Sequence, residues 1–339
     1  MSEQKIMKKV PGTGGEKYIP YEERMGNESI VYFTRDLSPE GLRKIYKKVN
    51  GHISGKVAIK LHTGEKNGPN IIPRPWVKHL IETELPGATI VDTNTFYPGD
   101  RDSTEKHRET IKVNGWTFAP VDILDEDGTT MFPVKGGKWI EEISVGSHLA
   151  DYDSLFVLTH FKGHVMGGFG GSNKNIGIGC ADALVGKAQI HTHTGKFNHW
   201  DIAEEELMER MAESSKGTVD HFGKNITFVN VLRNMSVSCD CEGVAAQPVV
   251  TPNIGILAST DILAVDQASV DLVFSLSEED GSALRERMIT RHGLRQLAYM
   301  KELGMGNDRY ILIDIDNGEA RILPKDAVAG VKPFTYGEA

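Results

Sequence analysis

Histidines, lysines and cysteines crowd into three short stretches of this 339-residue sequence. The longest, LTHFKGHVMGGFGGSNKNIGIGC at residues 158–180, places His160, Lys162, His164 and Lys174 around Gly163, Gly167, Gly168, Gly170 and Gly171, and ends at Cys180. Imidazole carries protons near neutral pH. A desolvated lysine amine is a nucleophile. Glycines let backbone N–H groups close on a ligand. Lys174 lies between Asn173 and Asn175, so the Gly-Lys-Ser/Thr of a phosphate-binding P-loop is missing, and GGFGG lacks the dinucleotide spacing. A less specific anion nest, or close packing against another backbone, stays open for the glycines.

A second stretch, HTHTGKFNH, holds His191, His193 and His199. In extended chain, positions two apart share a face, so His191 and His193 could chelate a metal. The third, SCDCE, supplies Cys239 and Cys241. With Cys180, they could form three corners of an iron–sulfur cluster, or they could bind zinc with a histidine. The absence of a C-x-x-C-x-x-C run excludes a self-contained ferredoxin module. In DILAVDQASVDLV, Asp266 is expected to orient a reacting or ligating group rather than react itself.

The elements around these residues alternate strand and helix. SIVYFT, KVAIKLH, ATIVDTN, DSLFVLT, NITFVNVL, NIGILAS and RYILIDID read as strands. Helical spacing recurs in SPEGLRKIYKKV, where Ser38 is the expected N-cap, and in PRPWVKHLIETEL, DIAEEELMERMAES, DILAVDQASVDLVFS and GLRQLAYMKELGMG. The expected class is α/β: mostly parallel sheets with helices on both faces, arranged as two lobes with a site in the cleft at the strand carboxyl ends. Residues 1–27 read as a polar tail, 28–215 as one lobe with a β-rich insertion at 116–145 and a glycine-rich site loop at 159–180, and 216–330 as the second lobe. Five strands end in chemistry-bearing residues: His62, Thr63 and Glu65; Asp92 to Asn94; Thr159 to His164; Arg233 to Cys241; and Ser259 to Asp261. Ligands of open parallel sheets bind beyond such ends.

Hydrophobic residues are 39% and charged residues 25% of the sequence, as in ordinary globular proteins. A formal charge of −9 argues against non-specific nucleic-acid binding. No apolar run reaches membrane-spanning length and the first residues carry no signal-like apolar segment, so a cytoplasmic location is expected.

The stretches VAIKLHTGE, VDTNTFYPGDRDSTEKH, LTHFKGHVMGGFGGSNKNIGIGC, SCDC and NIGILASTDILAVDQASVDLV together resemble the domain-of-unknown-function 362 family, in order, over about residues 30–315. That resemblance implies an iron–sulfur protein, although many members carry a ferredoxin segment that this sequence lacks. The His, Gly-Gly, Lys pattern also resembles the lactate racemase family, which uses a nickel-pincer nucleotide. It implies His164 as an acid/base with His107 as its counterpart, Lys174 as the cofactor lysine, and His191 or His193 as a nickel ligand. Lys162 joins the catalytic candidates. Gly167, Gly168, Gly170, Gly171 and Asn175 would cradle the cofactor, and Asp266, Asp92 and Glu65 would support it. The expected function is therefore a metal- or cofactor-dependent enzyme moving a proton or hydride on a small organic acid. The alternatives are an iron–sulfur or metal-binding protein serving a redox partner, and a metal-free binder of an anion or nucleotide.

Overall fold

The computed structural model of the protein describes residues 15–197 and 201–336. In chain order the strands are β1 (Glu28–Thr34), β2 (Val57–Lys60), β3 (Thr89–Asp92), β4 (Val121–Ile123), β5 (Thr129–Pro133), β6 (Glu142–Gly146), β7 (Ser154–His160), β8 (Lys162–His164), β9 (Gly168–Gly170), β10 (Ile226–Leu232), β11 (Gly255–Ser259), β12 (Arg309–Asp314) and β13 (Ala320–Ile322). The helices are α1 (Pro39–Tyr46), α2 (Arg74–Glu84), α3 (Thr104–Val113), α4 (Ser172–Gly179), α5 (Gly186–His191), α6 (Glu204–Phe222), α7 (Ile262–Ser275), α8 (Glu278–Thr290), α9 (Arg295–Glu302) and α10 (Pro324–Ala327).

Nine strands form one mixed sheet in the order β13-β12-β1-β11-β10-β7-β2-β3-β4. Pairing is parallel along β10-β7-β2-β3-β4 and between β1 and β12, while β11 and β13 run against their neighbours. Strands from segments 28–215 and 216–330 interleave in this sheet, so the two expected sheets are parts of a single one. β5 and β6 form a separate hairpin inside the β-rich segment.

The central strands are buried on both faces, which explains their unbroken apolar runs. In β7, Leu155 and Val157 pack into one core with α4, α6 and α7, while Phe156 and Leu158 pack into the other with α1 and α2. Ser38 caps α1 by accepting from Gly41 N at 3.1 Å, with Pro39 in the first turn. Residues 15–27 are not a free tail. Tyr18 stacks on Phe274, and Arg24 pairs with the buried Asp271 carboxylate, because that carboxylate needs a cation once removed from water.

Two local expectations change. The site loop at 159–180 is a hairpin (β8–β9) followed by helix α4. β11 is antiparallel to β10, so Ser259 to Asp261 lie at the opposite rim, where Asp261 caps α7 through Ala264 N at 2.9 Å.

Candidate metal centre

Backbone contacts bring His164 and the two neighbouring cysteines together. Gly163 N donates to Ser236 O at 2.8 Å, and a Cβ on Gly163 would stand 2.3 Å from the Val237 carbonyl oxygen. Only glycine lets hairpin β8–β9 lie against the chain leading to Cys239. Cys239 then caps a short helical turn: its Sγ accepts from Cys241 N at 3.4 Å, and Glu242 accepts from Cys239 N at 3.0 Å. His164, Cys239 and Cys241 thereby offer ligand atoms that all lie within 4.8 Å of one another.

The electrostatics favour a thiolate at Cys239. Burial alone would raise this thiol. The hydrogen bond from Cys241, the Lys174 ammonium and His164 together hold it well below the ordinary thiol value. Cys241 moves the other way, first through its hydrogen bond with Cys239 and then through burial. Lys174 Nζ stands 3.7 Å from Cys239 Sγ, and His62 also bonds to this sulfur.

His62, His164, Lys174 and Cys241 border a cavity of about 730 Å³ at the carboxyl ends of β2, β3, β7 and β10, also lined by Lys60, Asp92, Lys162, Lys187 and His191 among others. Lys162 is matched by Asp240 at 3.0 Å, and Asp240 also holds His160 Nδ1 at 2.8 Å. Burial would raise Asp92, but Lys60 at 3.2 Å and Arg101 at 3.3 Å hold it well below the usual carboxylate range. Glu65 accepts from Arg101 at 2.7 Å and from Tyr97 Oη at 2.8 Å. Lys187 donates to Thr93 Oγ1, Asn94 O and Ala181 O at 2.6–2.7 Å, and burial lowers its pKa to about 8. His191 donates Nδ1–H to Lys187 O at 2.7 Å, and burial lowers its pKa to about 4.

Asp266 positions the helix that carries Lys174. Its carboxylate accepts from Ser172 N at 2.7 Å and Asn173 N at 2.9 Å, capping α4 from across the molecule, and burial raises its pKa to about 6. Gly171 is required there, because a Cβ would meet the Asp266 carboxylate at 2.5 Å. Gly170 leaves room for the Lys162 and Lys174 side chains, and Gly167 and Gly171 also border the cavity. Asn175 Nδ2 donates to Leu158 O and Thr159 Oγ1, tying α4 to the end of β7.

Several expected residues stand elsewhere. Cys180 is fully buried in the core, its thiol pushed up to about 12 by burial, and it is not part of the His164–Cys239–Cys241 group. His107 is buried on α3 between Thr63 Oγ1 and Asn94 Oδ1 and does not border the cavity. His193 points outward to Glu206 at 3.2 Å, because the chain leaves α5 between it and His191. Gly168, with φ 75°, packs on Gly293 rather than on the cavity. His199 lies outside the described residues. Arg101, Tyr97, His62 and Asp240 carry more of the site than the sequence suggested. Asp240 was readable as the residue between the two cysteines, whereas Arg101 had no motif to mark it.

Among solved structures, the lactate racemase apoprotein from Thermoanaerobacterium thermosaccharolyticum is 12% identical, with a TM-score of 0.41 over 78% of this chain and 61% of that one. A protein from Thermotoga maritima is 14% identical, with a TM-score of 0.37 over 57% of this chain and 49% of that one. This chain therefore spans about three fifths and one half of their lengths. No curated protein matches. The family model described as "Domain of unknown function (DUF362)" matches residues 57–271, well over half of the sequence, and the chain belongs to that family.

Proposed function

We propose that this protein is an enzyme that binds a small organic anion in the cavity and moves a proton at the carbon next to its carboxylate, with a metal ion held by His164, Cys239 and Cys241. The observation that carries this reading is the convergence of one imidazole and two thiols within 4.8 Å beside a lysine-rich cavity. Sulfur and imidazole donors suit zinc, nickel or iron rather than magnesium or calcium. A cluster on three cysteines does not fit, because Cys180 stands apart. A bound ion would supply a Lewis acid that draws electron density from a substrate oxygen. Lys187, whose hydrogen-bond partners are neutral oxygens, supplies positive charge for the substrate carboxylate, and Lys174 stands beside the Cys239 sulfur. His191 is neutral above pH of about 4 and keeps Nε2 as its basic nitrogen, so it is the proton acceptor.

The test is deuterium uptake from D₂O at C2 of a panel of short 2-hydroxy carboxylic acids, read by mass spectrometry with metal-loaded protein. At least one acid is expected to exchange, with a loss of roughly 100-fold in His191→Gln. Failure of every acid to exchange with the wild-type protein would overturn the proposal.

One observation favours a second reading. His62 and His164 each receive a backbone N–H at Nδ1, from Gly64 and Gly167 at 2.8 Å. The proton of each neutral ring then sits on Nε2, on the side of Cys239. In this state Cys239 is an ion-free thiolate held by imidazole, ammonium and backbone donors, and it acts as a nucleophile. Rapid, stoichiometric alkylation of Cys239 in metal-free protein that still catalyses exchange supports this reading over the metal centre.

A further inference from the structure

Beside the cavity, the same rim of the sheet carries two arginines with no acid next to them. Arg233 directly follows β10 and is 8% exposed. Its guanidinium has no hydrogen-bond or ion-pair partner among the described residues, and its Nε is wholly buried. It lies over the Trp76 ring at 5.8 Å. Trp76 belongs to the first turn of α2, and this helix opens with the half-buried Arg74, also without such a partner among the described residues. That turn contains no acidic residue and no side-chain cap. Burial disfavours the charge on both arginines, and Arg74 adds like-charge repulsion to Arg233. An unpaired buried guanidinium is costly, and a counter-anion removes that cost. Neither arginine borders the cavity, so the pair is separate from the site already described.

We propose that Arg74 and Arg233, beside the start of α2, form a binding site for a phosphate group, either free or terminating a small organic phosphate. A guanidinium presents paired N–H donors that match two phosphate oxygens, and two guanidiniums balance a dianion. The start of α2 contributes its dipole rather than a set of free N–H groups, since Pro75 has none and Trp76 N donates to Pro73 O at 3.0 Å. The Arg233 carbonyl accepts from His160 Nε2 at 2.6 Å, and His160 holds Asp240 between the two thiols. The phosphate site is therefore one residue away from the wall of the candidate metal centre.

The test is isothermal titration of the full chain with sodium phosphate and, separately, with AMP, at constant ionic strength in a phosphate-free buffer. One equivalent is expected to bind, at least ten-fold more weakly in Arg74→Gln and in Arg233→Gln, with the metal content of both variants unchanged. Binding of inorganic phosphate identifies a free anion as sufficient, and binding of AMP without it identifies an organic phosphate. Either supports the site. In the absence of phosphate, Arg233→Gln is expected to melt no lower than the wild type, since it removes an unpaired charge. A purely packing role predicts a lower melting temperature. Should Arg233→Gln fail to fold, Arg74→Gln decides, since its side chain is half exposed. No binding at millimolar phosphate or AMP, or equal affinity in wild type and variants, overturns the proposal.

Discussion

His107 shows how one residue changes meaning between sequence and structure. The resemblance to the lactate racemase family made it a candidate acid/base, but on α3 it bridges Thr63 and Asn94 away from the cavity. That difference rests on partners distant in sequence, and no local pattern encodes them. Burial lowers the His107 pKa from the ordinary 6.5 to about 3. The unfolded chain then binds more protons than the folded one between those values. Stability from this group is full above pH of about 6.5 and is lost as pH falls towards about 3, at up to about 1.4 kcal/mol per pH unit. His191, lowered to about 4, adds a contribution of the same sign in an overlapping window. Urea midpoints measured from pH 7 to 4 are expected to fall, and to fall less steeply in His107→Gln. An equal slope in wild type and variant would contradict the assignment of His107 as a buried neutral residue.

At the scale of the element, the regular strands and amphipathic helices were legible because their apolar periodicity follows directly from the layers they occupy. Helix α4 was not legible. SNKNIGIG has no apolar stripe, and the helix depends on a cap from Asp266, nearly a hundred residues away. Asp266→Asn keeps the shape but offers one oxygen where two backbone donors and Asn230 converge, so a stability loss of about 2 kcal/mol is expected in urea melts. The close approach at Gly163 has a separate consequence. Gly163→Ala must push hairpin β8–β9 away from Val237, so a loss of about 1–3 kcal/mol in stability is expected, together with weaker metal retention, although no ligand has changed. Wild-type metal content in a folded Gly163→Ala would show that the hairpin does not position His164.

For the whole molecule, the rim of the parallel strands was readable from the polar residues after each apolar run. Four of those strand ends do converge on the cavity. The fifth was misplaced because strand direction depends on pairing, and the antiparallel β11 carries its polar end to the far side. The N-terminal segment was misplaced for a similar reason: its polar composition hid Arg24, which reaches Asp271 on α7. Both side chains are buried, so Arg24→Met, measured by urea denaturation, is expected to cost about 3 kcal/mol by removing the only cation paired with the carboxylate among the described residues. The carboxylate keeps its hydrogen bonds from Tyr18, Tyr310 and Gln267. A loss below about 1 kcal/mol would mean that this segment is dispensable to the fold.

The candidate metal centre draws its ligands from a hairpin after β7 and a turn after β10, and it excludes the third cysteine. Elemental analysis of anaerobically purified protein is therefore the most direct test. One zinc, nickel or iron ion per chain is expected, lost in His164→Ala, Cys239→Ser and Cys241→Ser and retained in Cys180→Ser. Metal-free wild-type protein with full activity, or a metal content that depends on Cys180, would contradict the centre described here.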